Sequence, residues 1–217
     1  MKDAVALVVA KAPVVGEAKT RLGRAVGMER AADLASAALL DTLAGCAAAF
    51  GTDRCHLALA GDLAQAARSE ELVAAIDGWQ VHLQRGDGFA ERLVHAHHDV
   101  ARASGSPVVQ VGMDTPHLDP EVLREVAASL TEPDVAVLGA AYDGGWWLLG
   151  VGSADLVDHL VDVPMSTSDT GRLTREALER AGARVSETVP MLDVDEVPDA
   201  ESVAAAAPDT LFAQAWR

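Results

Sequence analysis

The sequence predicts a three-layer α/β/α fold on a mostly parallel, mixed sheet. Strand-length apolar runs alternate with amphipathic stretches from end to end, the pattern of a sheet flanked by helices. The first run, Ala4–Ala10 (AVALVVA), is apolar throughout, as expected of a strand covered on both faces. The composition is ordinary for a globular chain: 217 residues, 50% hydrophobic and 23% charged. That length favours one domain over residues 1–217, with a core from about 4 to 206 and a peripheral tail at 207–217.

In chain order, the Ala4–Ala10 strand leads into a loop bearing Pro13, Gly16, Gly23 and Gly27. An Ala/Leu-rich helix runs from Met28 to about Phe50. Cys55–Ala60 is the second strand, followed by a helix over Asp62–Ala75, a strand at Trp79–Leu83 and a helix over Phe89–Ala103. Pro107–Val111 is the fourth strand, then a helix over Pro120–Leu130. Val135–Gly139 and Trp146–Val151 are strands joined by the turn AYDGG. Helices at Ala154–Leu160 and Thr170–Ala181, short strands at Arg184–Thr188 and Leu192–Val194, and a helix over Asp199–Ala206 complete the prediction.

The net charge of −16 argues against nucleic acid as a partner, because phosphate backbones call for a basic face. No apolar run is read as reaching the roughly 18–20 residues of a membrane span. The short run at the start reads as a strand rather than a signal peptide, so the expected location is the cytoplasm. Cys46 and Cys55 lack metal-ligand spacing and are expected to be reduced core residues. His95, His97 and His98 lack the partner motif of a zinc site.

Within this acidic chain, residues 11–24 carry Lys11, Lys19, Arg21 and Arg24 against a single acid, Glu17. Charge alone leaves both an anion site and a solvated loop open. Position adds to it, since ligands of open α/β sheets bind at the carboxyl ends of strands. Gly16 there lets backbone N–H groups approach an anion. GEAKT resembles half of a P-loop, but Ala18 stands where the Walker motif needs glycine, so that reading is rejected.

Three further segments carry candidate chemistry. In VVQVGMDTPHL, Asp114 lies just past a buried strand, where a carboxylate can hold Mg²⁺ or Mn²⁺ or merely cap a turn. In LDVDEVPD, Asp193 and Asp195 alternate and share a face if extended, suiting a metal or an exposed acidic loop. In AYDGGWW, Asp143 is a candidate base and Trp146 or Trp147 a platform for a ring, with core packing expected for at least one tryptophan.

Taken in order, KAPxxGxxKTRL, GDGFAERL, GMDTPxL, DGGWWLLG, MST and DVDxxPD resemble the small bacterial transferases known as radical-SAM/selenodomain-associated or arsenosugar-type glycosyltransferases, over about residues 5–205. The set is also similar to the glycosyltransferase-A superfamily of nucleotide-diphosphosugar transferases and to 2-phospho-L-lactate guanylyltransferase. The resemblance implies that Lys11, Lys19 and Arg21 contact nucleotide phosphates. It implies that Gly88 and Arg92 lie against the nucleoside, and that Asp114 and Asp195 are the metal carboxylates. The chain departs from the pattern with one acid in GMDT where Asp-x-Asp is usual, and with Trp146–Trp147 and Met165 where many relatives have Tyr-Tyr and Trp.

The expected activity is metal-dependent transfer of a sugar from a nucleotide-diphosphosugar to a small-molecule acceptor. Lys19 and Arg21 would stabilise the leaving group, and Asp143 would act as base. The alternative is nucleotidyl transfer from an NTP to a phosphorylated small molecule, releasing pyrophosphate.

Overall fold

A computed structural model describes residues 2–217; Met1, the first residue of the expected single domain, lies outside the described residues. Seven strands form one sheet: β1 (Val5–Lys11), β2 (Cys55–Ala60), β3 (Gln80–Leu83), β4 (Val108–Val111), β5 (Val135–Ala141), β6 (Trp146–Val151) and β7 (Arg184–Met191). Their order is β3-β2-β1-β4-β6-β5-β7. β6 pairs antiparallel with β4 and β5, while every other pairing is parallel.

Side-chain alternation along β1 sorts the core into two layers. Ala6, Val8 and Ala10 face the side packed by α2 (Met28–Phe50), α3 (Ser69–Ala75) and α5 (Pro120–Ser129). Val5, Leu7 and Val9 face the side packed by α4 (Phe89–Ser104), a 3₁₀ segment (Ala154–Asp162) and α6 (Thr170–Arg180). The three-layer α/β/α expectation therefore holds.

A third cluster lies beside α2. It joins Leu22 of α1 (Thr20–Val26), Val203 of α7 (Val197–Ala206) and Phe212 of α8 (Leu211–Trp216) to Leu34 and Ala38. This corrects two expectations. Residues 20–26 are helical rather than loop, because Leu22 finds an apolar partner on α2. The segment 207–217 is not a peripheral tail: Phe212 is buried, and Asp41 of α2 accepts the backbone N–H groups of Leu211 and Phe212 at 3.0 and 2.8 Å.

Other departures are local. The helix predicted over 62–75 splits into a 3₁₀ turn (Leu63–Gln65) and α3. Residues 192–194 are not a strand, because the chain leaves the sheet edge at Met191 and the Val194 N–H instead donates to the Asp114 carbonyl, 3.1 Å away.

Despite Asp33 and Asp41, α2 is long and apolar enough to cross a membrane by length and composition, so the sequence reading was too strict there. Its most apolar window has mean hydropathy 1.3, and 67% of that window is buried inside the fold. That burial is typical of a core helix.

Candidate active site

The chain runs from β1 outward to β2 and β3, then returns to β4 on the other side of β1. The loops after β1 and β4 therefore diverge, and a crevice opens between them at the carboxyl edge of the sheet. The loop 12–19, the loop 112–119, the turn 142–145 and the segment 192–195 all gather at this edge.

Lys19 sits at the centre of this crevice. Its Nζ donates to Asp114 Oδ2 at 2.8 Å and to Asp195 Oδ1 at 3.0 Å. Its backbone is left-handed, φ 44° and ψ 48°, at the entry to α1. Such a conformation costs a lysine roughly 1–3 kcal/mol, and surrounding contacts must offset it. Burial opposes its charge, but Asp114 and Asp195 outweigh burial and hold its pKa above the ordinary lysine value. Arg21 Nη1 reaches Asp195 Oδ2 at 3.3 Å from an exposed position. Lys11 Nζ pairs with Glu17 at 3.0 Å, both side chains being more than half exposed. Together with Met113 these residues line a cleft of ≈310 Å³.

Asp193 joins the carboxylates from the far side. One oxygen from each of Asp114, Asp193 and Asp195 lies within 4.8 Å of the others. Burial, with the charges of Asp114 and Asp143 acting in the same direction, raises the Asp193 pKa to about 6. Three carboxylates crowded to this degree are compatible with a divalent cation, and an oxygen-only set suits Mg²⁺ or Mn²⁺. Gly112 leaves room for the arrangement, since a Cβ there would stand 2.9 Å from Asp114 Oδ1.

Asp114 is also the wall between this cleft and a second cavity of ≈190 Å³. That cavity is lined by Asp143, Asp193, Phe89, Trp146, Trp147 and Met165, with Gln110 among its remaining lining residues. Asp143 accepts the Gly145 N–H at 2.7 Å, closing the β5–β6 turn. Gly144 in that turn has φ +91°, and a Cβ on it would meet the Ser168 carbonyl oxygen at 2.1 Å. The turn thereby packs against the 166–171 loop on the cavity's other side.

Trp147 is a core residue, buried with Nε1 donating to Val189 O at 2.9 Å. Trp146 is half-buried, with Nε1 donating to Thr174 Oγ1 at 3.1 Å. Behind Gln110, buried His97 donates from Nε2 to Gln110 Oε1 at 2.8 Å, and burial drives its pKa down to about 4.

The structure thus gathers Lys11, Lys19, Arg21, Asp114 and Asp195 in one cleft and places Asp143 in the adjoining cavity. Gly16, exposed with φ +80°, lines neither cavity. Gly88, at the N-terminus of α4, and Arg92, whose Nε donates to Gly86 O at 3.1 Å, also stand outside both. Asp193 was singled out only as part of an alternating pair. Its alternation with Asp195 was the available signal, but its proximity to Asp114 depends on the fold.

The fold and site define an α/β protein of the nucleotide-diphosphosugar transferase and nucleotidyltransferase type. The chain belongs to the family described as "Uncharacterized protein conserved in bacteria (DUF2064)", whose model matches residues 42–167. It is similar to a Desulfovibrio desulfuricans G20 protein provisionally assigned as a nucleotide-diphospho-sugar transferase. The two share 28% identity with TM-score 0.80, over 96% of this chain and 89% of that one. It shares its fold with a cytidylyltransferase from Leptospira borgpetersenii, at 13% identity and TM-score 0.63 over 99% of this chain and 92% of that one. It also shares its fold with Rv0371c of Mycobacterium tuberculosis H37Rv, solved with manganese, at 20% identity and TM-score 0.52 over 93% and 98% of the two chains. No curated protein matches the sequence.

Proposed function

We propose that the protein is a metal-dependent glycosyltransferase of the cytoplasm, moving a sugar from a nucleotide-diphosphosugar to a small-molecule acceptor. The observation that carries this reading is Lys19 held between Asp114 and Asp195 at the switch point of the sheet, beside the third carboxylate, Asp193. Cation and carboxylates are the two components that a diphosphate with a bridging divalent ion requires.

Asp114, Asp193 and Asp195 would hold Mg²⁺ or Mn²⁺. Once bound, the ion supplies Lewis-acid neutralisation of the diphosphate oxygens. Lys19, with Arg21 and Lys11 at the mouth of the cleft, binds the phosphates and offsets the charge that grows on the departing nucleoside diphosphate. The family resemblance assigns Gly88 and Arg92 to the nucleoside, and its place after β1 assigns Gly16 to the phosphates. All three stand outside both cavities, so those contacts would be made by the part of the donor that extends beyond them. Asp143 receives the proton of the acceptor hydroxyl as the acceptor oxygen bonds to the anomeric carbon. The carbon–oxygen bond to the diphosphate breaks, and its electron pair leaves with the nucleoside diphosphate.

Nucleotidyl transfer from an NTP to a phosphorylated acceptor is the second reading. The carboxylate triad supports it, because two metals suit in-line phosphoryl chemistry.

Incubation with UDP- or GDP-sugars and Mn²⁺ is expected to release nucleoside diphosphate, and Asp114→Asn is expected to abolish both the release and the Mn²⁺-dependent thermal stabilisation by nucleotide. Pyrophosphate release from CTP or GTP with phosphorylated acceptors, and none from nucleotide-sugars, would replace the first reading by the second.

A further inference from the structure

The two cavities that meet at Asp114 differ in charge as well as shape. Lys11, Lys19 and Arg21 line the cleft, whereas no lysine, arginine or histidine is among the described residues lining the neighbouring cavity. Its lining combines Asp114, Asp143 and Asp193 with Phe89, Trp146 and Met165. Its ≈190 Å³ is below the roughly 300–1,000 Å³ of clefts that hold drug-sized ligands.

We propose that this cavity selects the non-nucleotide reactant by charge: it takes a small hydroxyl-bearing molecule that is neutral or cationic, and rejects its phosphate ester. The inference rests on the assignment of nucleotide phosphates to the basic cleft, and it names the substrate class of the same site. A divalent ion on Asp114, Asp193 and Asp195 offsets two carboxylate charges, so the cavity lining still carries a negative surplus. A phosphomonoester inside it would find no cationic side chain to pair with, and buried unpaired charge is costly. A polyol meets carboxylate acceptors for its hydroxyl groups, with aromatic and thioether side chains for its C–H faces. An ammonium group gains ion pairing in addition.

The cleft is first filled with UDP and Mn²⁺, so that phosphate probes do not bind there. Glucose, glucosamine and glucose 6-phosphate are then titrated and followed by ligand-observed saturation-transfer NMR. Glucose and glucosamine are expected to bind at least ten-fold more tightly than glucose 6-phosphate, with glucosamine the tightest. Ser166→Lys places a cation on an exposed position of the cavity lining and is expected to narrow or reverse the preference against the phosphate. Its melting temperature and UDP affinity report whether it remains folded. Equal or tighter binding of glucose 6-phosphate to the unmodified protein, or binding of none of the three, overturns the proposal. Failure of UDP and Mn²⁺ to bind, or UDP binding unaffected by Lys19→Met, would instead overturn the assignment of the cleft.

Discussion

The cleft over Lys19 and the cavity under Trp146 share one wall, Asp114, yet they solve opposite electrostatic problems. In the cleft, three cations match three acids, and the part-buried Lys19 ammonium is kept charged by two carboxylates. In the cavity, carboxylates share the lining with aromatic side chains, no cationic side chain is among the described lining residues, and burial together with its acidic neighbours raises the Asp193 pKa to about 6. The proposed reaction, joining a polyanionic donor to an uncharged acceptor, would use this division, with bond breaking at the shared wall. Charge, more than shape, separates the two ends of the site.

Replacing Lys19 is the harshest test of the comparison. Lys19→Met removes the cation that, among the described residues, alone pairs with both Asp114 and Asp195. It is expected to lower turnover by about 10²–10³-fold, as loss of a charge-stabilising donor does elsewhere. The same variant is expected to bind Mn²⁺ more tightly in the absence of nucleotide, by calorimetry, since the carboxylates lose their resident counter-charge.

Gly144→Val attacks the cavity alone. It forces a β-branched residue into φ +91° against the Ser168 carbonyl. Destabilisation by several kcal/mol is expected, at the severe end for single substitutions, measured by denaturant unfolding. At temperatures where the variant is folded, acceptor saturation is expected to suffer more than nucleotide affinity.

Acid is expected to act on the cavity's support. His97 backs Gln110 and titrates near 4 in the folded state against an ordinary value of 6.5. Its folded pKa is depressed, so the unfolded chain binds the additional proton between those values and stability falls as pH drops from 6.5 towards 4. The shift corresponds to a loss on the order of 3 kcal/mol. His56, buried beside His82 and also near 4, acts in the same direction. Asp193, raised to about 6 from 3.8, acts oppositely in the overlapping window. His82 and His117 are also lowered by burial and Asp41 is also raised by burial, so four histidines against two carboxylates leave a net loss towards acid, and His97→Gln is expected to flatten the pH dependence of urea midpoints.

The mildest test is Arg21→Ala. Arg21 is 70% exposed in its pair with Asp195, so stability is expected to move by less than about 1 kcal/mol. Nucleotide affinity is expected to fall several-fold, with a weaker salt dependence.

How much was legible beforehand varied with the range of the interactions involved. The three-layer class and the central strands were readable because continuous apolar runs and helical periodicity are local patterns. Lys19 and Asp114 could be proposed individually, each from its place after a buried strand. Misreadings fell where a partner far along the chain decides the structure: residues 20–26 are helical because Leu22 meets α2, and the C-terminal residues pack because Phe212 enters the same cluster.

The sequence by itself determined the chemistry available: three lysines in a chain of net charge −16, two of them after the first strand, and acids after the fourth strand and near the end. What only the tertiary structure decided was their grouping. Lys19 and Asp195 are 176 positions apart in the chain yet 3.0 Å apart in space. Asp193 became a member of the triad because the chain leaves the sheet at Met191 and is held against the Asp114 backbone. Strand order around β1 sets those distances, and strand order is a property of long-range pairing that local residue patterns do not encode.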